Sequence, residues 1–268
     1  MKKNNQPLIL ITNDDGINSP GIESLKNALT PLGEVVIVAP ESQKSAVSSA
    51  LTINKPLRVI PYKKNGNLFG YSVNGTPVDC VKIAISTLLD RKPDLVVSGI
   101  NHGRNTSINV LYSGTVAGAA EGLIAGINSI AVSHASHNIE SNLDGAEIFT
   151  HILARKLLNV SNKQKVLLNV NVPDLPSMKI KGVRLTKLSS SRWADKYEKR
   201  QDPFGNEYFW FAGEFITADN TPDTDDSAVN DGYISVSSVN FNMYDDSFND
   251  FVELESLNHE YEDKYRRN

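Results

Sequence analysis

The sequence predicts a doubly wound α/β domain: a mostly parallel sheet with helices on both faces, followed by a β-rich C-terminal extension. Three observations predict it. Apolar runs such as Leu8-Ile9-Leu10-Ile11, Glu34–Ala39 and Asp94–Ser98 are continuous rather than alternating, as in strands buried on both faces. Between them lie segments with helical spacing, which is how right-handed parallel crossovers are written in a chain. After Pro176 the pattern stops. Both tryptophans, Trp193 and Trp210, fall beyond that point, with the aromatic run Tyr208-Phe209-Trp210-Phe211.

Leu8–Thr12 is the first strand. Ser19-Pro20 supplies an N-cap and a first-turn proline to a helix carrying Ile22, Leu25, Leu29 and Leu32 at helical spacing. Glu34–Ala39 is a second strand, closed by Pro40, and a polar loop with Ser42, Lys44, Ser45 and Ser48 comes next. Leu57–Pro61 and Leu68–Val73 read as a hairpin around Asn65-Gly66. Thr76-Pro77 opens a helix to about Asp90, Asp94–Ser98 is a strand, and Ser113 to about Gly126 a helix. Ser129–Ser133, a helix over about 143–158, and Val166–Val172 continue the alternation. In the extension, Asp219–Asp226 reads as an acidic loop, Tyr233–Val236 as an antiparallel strand, and the charged tail from Glu253 as an exposed helix. We divide the chain into a core, residues 1–176, and an appended segment, residues 177–268, whose own core is too small for an independent domain.

Composition narrows the function. The 268 residues carry 27 Lys and Arg against 31 Asp and Glu, a formal charge of −4, which argues against gripping a long nucleic-acid backbone. A single cysteine, Cys80, rules out an internal disulfide framework and a multi-thiolate zinc site, and five scattered histidines do not make a histidine cluster. A bound metal would therefore be held by oxygen. The apolar run after Lys2-Lys3 is too short for a signal peptide, and no stretch is long enough to span a membrane. A cytoplasmic location with no membrane partner is the expectation.

In open parallel sheets ligands bind beyond the carboxyl ends of the strands, and three strand-to-helix loops stand out there. Thr12–Gly21 brings adjacent carboxylates, Asp14 and Asp15, to the end of a buried strand. Such a pair costs free energy unless a positive charge neutralises it, and a hard cation such as Mg²⁺ or Mn²⁺ does so through oxygen ligands. The competing reading is a polar turn with an N-cap. Ser98–Asn105 places Asn101 at another strand end, where its carbonyl can ligate a hard cation or its amide can donate to phosphate. His102 beside it is a candidate acid or base, although a single loop histidine reads first as an exposed polar side chain. Tyr112–Gly122 sets Ser113, Gly114 and Thr115 at the start of a helix of small residues, a site for phosphate at free N–H groups. A cation site beside an anion site describes metal-assisted phosphoryl chemistry. Gly16 stands where a D-x-D phosphatase needs its second acid. The strand ending at Ser98-Gly99 lacks a receiver domain's phospho-accepting Asp, and dinucleotide, Walker and nucleophile-elbow motifs are missing.

Ile11-Thr12-Asn13-Asp14-Asp15-Gly16, Val38-Ala39-Pro40 with Ser45-Ala46, Asn74–Val81, Ser98–Asn105 and Tyr112–Val116 resemble, in this order, the motifs of the SurE (survival protein E) family. Ser191-Arg192-Trp193 and Asp202–Gly205 extend the resemblance into the appended segment. It implies a 5'/3'-nucleotidase: a metal-dependent acid phosphatase acting on nucleoside 5'- and 3'-monophosphates, with some activity on short polyphosphate. By position it implies Asp14, Asp15, Ser45 and Asn101 as ligands of one divalent ion per subunit, Mg²⁺ or Mn²⁺. Ser45 is chosen by the resemblance alone. Asn101, Ser113, Gly114 and Thr115 would hold the substrate phosphate, and Asp14 or Asp15 would orient or deprotonate the attacking water. The resemblance also implies a homodimer or homotetramer that exchanges C-terminal elements. It gives His102 no role. Direct attack by an aspartate, a non-catalytic nucleotide sensor and an assembly scaffold are the alternatives.

Overall fold

The computed structural model describes residues 6–160, 164–217, 221–242 and 253–266. Its strands are β1 (Leu8–Thr12), β2 (Glu34–Pro40), β3 (Val59–Lys64), β4 (Asn67–Val73), β5 (Leu95–His102), β6 (Asn128–His134), β7 (Leu167–Val172), β8 (Val183–Leu185), β9 (Arg192–Ala194), β10 (Tyr197–Gln201), β11 (Glu207–Phe211), β12 (Glu214–Ile216) and β13 (Ile234–Val239). Among the described residues they form a nine-stranded sheet, β3-β4-β2-β1-β5-β6-β7-β13-β8, and two ribbons, β10-β11 and β12-β9. The centre, from β4 through β2, β1, β5 and β6 to β7, is parallel. Antiparallel pairing enters at the β3–β4 edge and between β7 and β13. The fold is a mostly parallel, doubly wound α/β sheet. Its order reverses at β1, which pairs with β2 on one side and β5 on the other, and a crevice opens beyond the strand ends at such a reversal.

The helices are α1 (Pro20–Leu29), α2 (Pro77–Ile83), α3 (Asn109–Tyr112), α4 (Gly114–Ile124), α5 (Asp144–Asn159), α6 (Asp225–Asn230) and α7 (Leu254–Arg266). Successive residues of β1 face opposite sides. Ile9 and Ile11 pack with Ile22, Leu25 and Leu29 of α1 and with Ala146 and Ala154 of α5. Leu10 packs on the other face with Val38, Val96, and Val81 of α2. This two-sided burial is why the strand runs are continuous in sequence.

Local chemistry sets the boundaries. The Ser19 hydroxyl caps α1, and Thr76 with Asp79 forms a reciprocal capping box on α2. Asn65 and Gly66 both take positive φ, 52° and 80°, as the predicted two-residue hairpin turn requires. The helix expected through Leu32 ends at Leu29, where Thr30-Pro31-Leu32 tightens into a 3-10 turn. The helix expected to reach Asp90 is α-helical only to Ile83 and continues as a π turn over Ala84–Leu88. β5 runs on to His102 instead of stopping at Ser98.

Beyond Pro176, β8 and β13 join the main sheet, and β9 to β12 form the two ribbons. Residues 218–220 of the acidic segment lie outside the described residues. Its last two acids are not loop residues: Asp225 and Asp226 open α6 and are buried. β13 is antiparallel to β7, as its alternation suggests, and parallel to β8.

Leu10, fully buried at the middle of the central strand, provides a test of this core. Truncation in L10A is expected to cost about 2–5 kcal/mol, read as a lower urea midpoint at unchanged slope. A loss below about 0.5 kcal/mol would contradict the packing.

Candidate active site

The crevice at the β1/β5 reversal is a cleft of about 480 Å³ lined by Asp14, Asp15, Ser45, Asn101 and Ser113, together with Asn109, Tyr112, Trp193 and Phe215. Chain segments that are distant in sequence therefore meet here.

Asn13 shapes the loop after β1. Its side chain accepts from the Gly16 N–H at 3.1 Å and donates to the Gly16 carbonyl and the Ser19 hydroxyl. This holds Asp14 inward, 7 % exposed, while Asp15 stays partly open. The loop after β2 is pinned beside it, because the Lys44 N–H donates to the Asp14 carbonyl at 2.7 Å. Ser45, one residue on, lies exposed at the cleft and accepts from the Gln43 amide at 2.9 Å. Its hydroxyl keeps a lone pair and a proton for a ligand.

At the end of β5 the ladder to β6 is irregular between Ser98 and Asn101, where Gly99 takes φ 134°, and a bulge of this kind re-aims the side chains after it. The Asn101 amide nitrogen donates to the Gly103 carbonyl at 2.7 Å, which leaves its oxygen as the atom for a cation. His102 corrects the expectation of an exposed loop residue. It lies in β5 opposite His134 of β6, and its side chain is 8 % exposed with Nδ1 3.8 Å from Asp15 Oδ2. The extension of β5 past Ser98 is what buries it. The next loop is clamped by α6. Thr106 donates to Asp226 at 2.5 Å, the Ser107 N–H donates to Asp225 at 2.8 Å, and the Ser107 hydroxyl donates to Asp226.

The start of α4 abuts Asp14. A Cβ on Gly114 would come within 2.8 Å of the Asp14 Cβ and 3.0 Å of its Oδ2, so a side chain there would displace the carboxylate. The Thr115 hydroxyl donates to Asp14 Oδ1 at 2.5 Å, and its backbone N–H faces the same carboxylate. Thr115, expected among the phosphate-holding residues, thus has its donors turned to Asp14. Ser113 accepts from the Val116 N–H at 3.0 Å, which leaves its own O–H for a ligand.

Burial pushes the Asp14 carboxyl up to about 6, the nearby Asp15 charge adds to this, and the Thr115 hydrogen bond opposes it. Among the described residues, no three His, Cys, Asp or Glu side chains gather into a metal-binding group. The donor set is two carboxylates plus neutral oxygens. That fits a hard cation of the Mg²⁺ or Mn²⁺ kind, which keeps several waters and takes one or two protein carboxylates. Of the residues expected at the site, the fold brings Asp14, Asp15, Ser45, Asn101 and Ser113 to one cleft. Gln43, Asn109 and the Trp193–Phe215 wall join them without any signal in the sequence, because their proximity arises only from the fold.

A folded-state value above the ordinary 3.8 means that the folded chain keeps the Asp14 proton while the unfolded chain loses it. Without metal, this carboxyl therefore lowers stability as pH rises from about 4 to about 6, and a cation bound there would compete with the proton below about 6. The rise in Tm on adding Mn²⁺ is expected to be large at pH 7.5 and to shrink as pH falls below 6. In T115V the loss should begin at higher pH, since the hydrogen bond that favours the carboxylate is gone. Calorimetry across pH checks both, and a pH-independent rise would contradict the assignment.

Known proteins share this sequence and architecture. The family model described as "Survival protein SurE" matches residues 9–195. A protein of Flavobacterium johnsoniae named 5'-nucleotidase SurE is 44 % identical over 242 residues, 90 % of this chain and 93 % of its own. One of the same name from Chlorobaculum tepidum is 41 % identical over 255 residues, 95 % and 97 % of the two chains. The crystal structure of the SurE protein from Aquifex aeolicus superposes with a TM-score of 0.77 at 37 % identity, covering 89 % of this chain and 95 % of that one. A paired-acid crevice on a mostly parallel sheet, with a family match over most of that sheet, leads to one conclusion: the chain belongs to the SurE family.

Proposed function

We propose that the chain is a divalent-metal-dependent phosphomonoesterase that hydrolyses nucleoside 5'- and 3'-monophosphates, and short polyphosphate as a secondary substrate. Relatives named 5'-nucleotidase at 44 % and 41 % identity support the reaction class. The observation that carries the reading is Asp14, buried against the start of α4 beside a second carboxylate in an open cleft.

Asp14, Asp15, Ser45 and Asn101 are the proposed ligands of one Mg²⁺ or Mn²⁺. When bound, the ion supplies Lewis acidity toward a phosphoryl oxygen and acidifies water. The protein's own part is positioning. The Ser113 hydroxyl, the Asn101 side chain and the Gly114 N–H at the positive end of α4 receive phosphoryl oxygens. Thr115 serves the phosphate indirectly, by keeping Asp14 ionised and fixed. Asp15, the more open carboxylate, orients the attacking water and takes its proton.

Self-association through the appended segment belongs to the same proposal, as a homodimer or homotetramer. On the β10–β11 ribbon Tyr197 and Phe209 are 64 % and 58 % exposed on one face and Trp210 is 59 % exposed on the other, exposed aromatic surface of the kind that marks an interface. No helix among the described residues is long and apolar enough to cross a membrane, and we place the reaction in the cytoplasm.

The test is turnover of nucleoside monophosphates, phosphosugars and polyphosphate with each divalent metal. Nucleotide hydrolysis should vanish with EDTA and return with Mn²⁺ or Mg²⁺. D14N should lose at least about 100-fold in kcat/KM, the scale of one removed electrostatic group. Near-wild-type activity in D14N with metal present, or turnover resistant to EDTA, would overturn the reading.

A further inference from the structure

One wall of the cleft has no part in the phosphate chemistry. β9 and β12 set Trp193 directly opposite Phe215, and both side chains line the same cleft as Asp14, Ser45 and Asn101. The indole N–H is already used, donating to Asn109 Oδ1 at 2.8 Å. That bond fixes the ring's orientation and leaves only apolar surface for a ligand. Phe215 and Phe211 meet the indole edge-on, with centroids 5.4 and 5.9 Å away and interplanar angles of 68° and 65°. Neither is stacked on it, and the residue remains 38 % exposed. A buttressed, hydrogen-bonded indole at an open cleft is a surface for a flat aromatic group.

Its place relative to the phosphate end defines the chemical class of that group. Asn109, which holds the indole, begins α3, and α3 leads directly into Ser113 and Gly114. One helical turn, about 6 Å along the axis, separates the residue that fixes the aromatic wall from the residues that start the anion site. A sugar fits that interval. Nearby, Arg104 donates to Asn230 at 2.8 Å and Gln43 donates to Ser45 at 2.9 Å. The wall itself offers a ligand only ring surface, and that suits the face of a base.

We propose that Trp193, supported by Phe215, is the platform on which the substrate's nucleobase stacks. The assignment rests on the nucleotidase reading and adds to it a residue that selects nucleotides over other phosphomonoesters. Stacking on an aromatic side chain tolerates any base, because each base presents a π face.

The experiment compares 5'-AMP with ribose 5-phosphate, which has the same phosphoester but no base. W193A should lose about tenfold or more in kcat/KM for 5'-AMP, the range found when stacking aromatics are removed. Its kcat/KM for ribose 5-phosphate should stay within about twofold of wild type, and W193F should recover most of the 5'-AMP activity. Equal losses on both substrates, or none on 5'-AMP, would overturn the platform while leaving the nucleotidase reading intact. A wild-type enzyme that turns over ribose 5-phosphate but no nucleotide would instead overturn that reading, and the platform with it. A measurement that keeps Trp193 in place guards against misfolding. In W210F, where Trp193 is the only tryptophan, 5'-AMP should quench its fluorescence and ribose 5-phosphate should not. No quenching at 5'-AMP concentrations that saturate turnover would overturn the proposal.

Discussion

A carboxylate removed from water at the end of a buried strand is unstable unless something favourable faces it, and in this protein the start of α4 faces Asp14. The Thr115 hydroxyl and N–H meet the carboxylate, and Gly114 leaves it room. These contacts offset only part of the cost of burial, since the carboxyl remains raised to about 6. The remainder is what a cation bound there would offset. The other parts of the cleft are arranged around this contact. The loop after β2 is tied to the Asp14 backbone, β5 brings Asn101 alongside, and Ser113 caps the helix that Asp14 abuts.

The sheet makes such a meeting possible. Parallel strands end on one edge, so the loops after β1, β2 and β5 and the start of α4 reach the same crevice although Asp14 and Ser113 are far apart in the chain. The appended segment contributes as well. Asp225 and Asp226 of α6 accept from Thr106 and Ser107, fixing the loop that comes after Asn101. β9 and β12 supply an aromatic wall. Residues beyond Pro176 therefore take part in shaping the cleft.

Strands buried on both faces were legible in the sequence because burial on two sides removes the alternation, as in β1 and β5. The Asp14-Asp15 pair and the α4 start were legible because charge at a strand end and small residues at a helix start are local signals. What depends on tertiary contact was not. Thr115 looks like a phosphate ligand until its hydroxyl is seen on Asp14. His102 looks exposed until β5 is seen to extend beside His134. Asp225 and Asp226 look like loop acids because their partners, Thr106, Ser107 and Ser189, lie more than 30 residues away. Ser45 carried no local signal and came from the family resemblance alone.

The proposed ligands of one hard cation are the side-chain oxygens of Asp14, Asp15, Ser45 and Asn101. Diffraction from crystals grown with MnCl₂, recorded at the manganese absorption edge, would locate that ion. One anomalous peak per chain is expected, in coordination range of the Asp14, Asp15 and Asn101 side-chain oxygens with Ser45 beside it. A peak elsewhere, for example at His134 and Asp174, whose Nε2 and Oδ1 lie 3.1 Å apart, or no peak at a Mn²⁺ concentration that supports turnover, would rule this ligand set out.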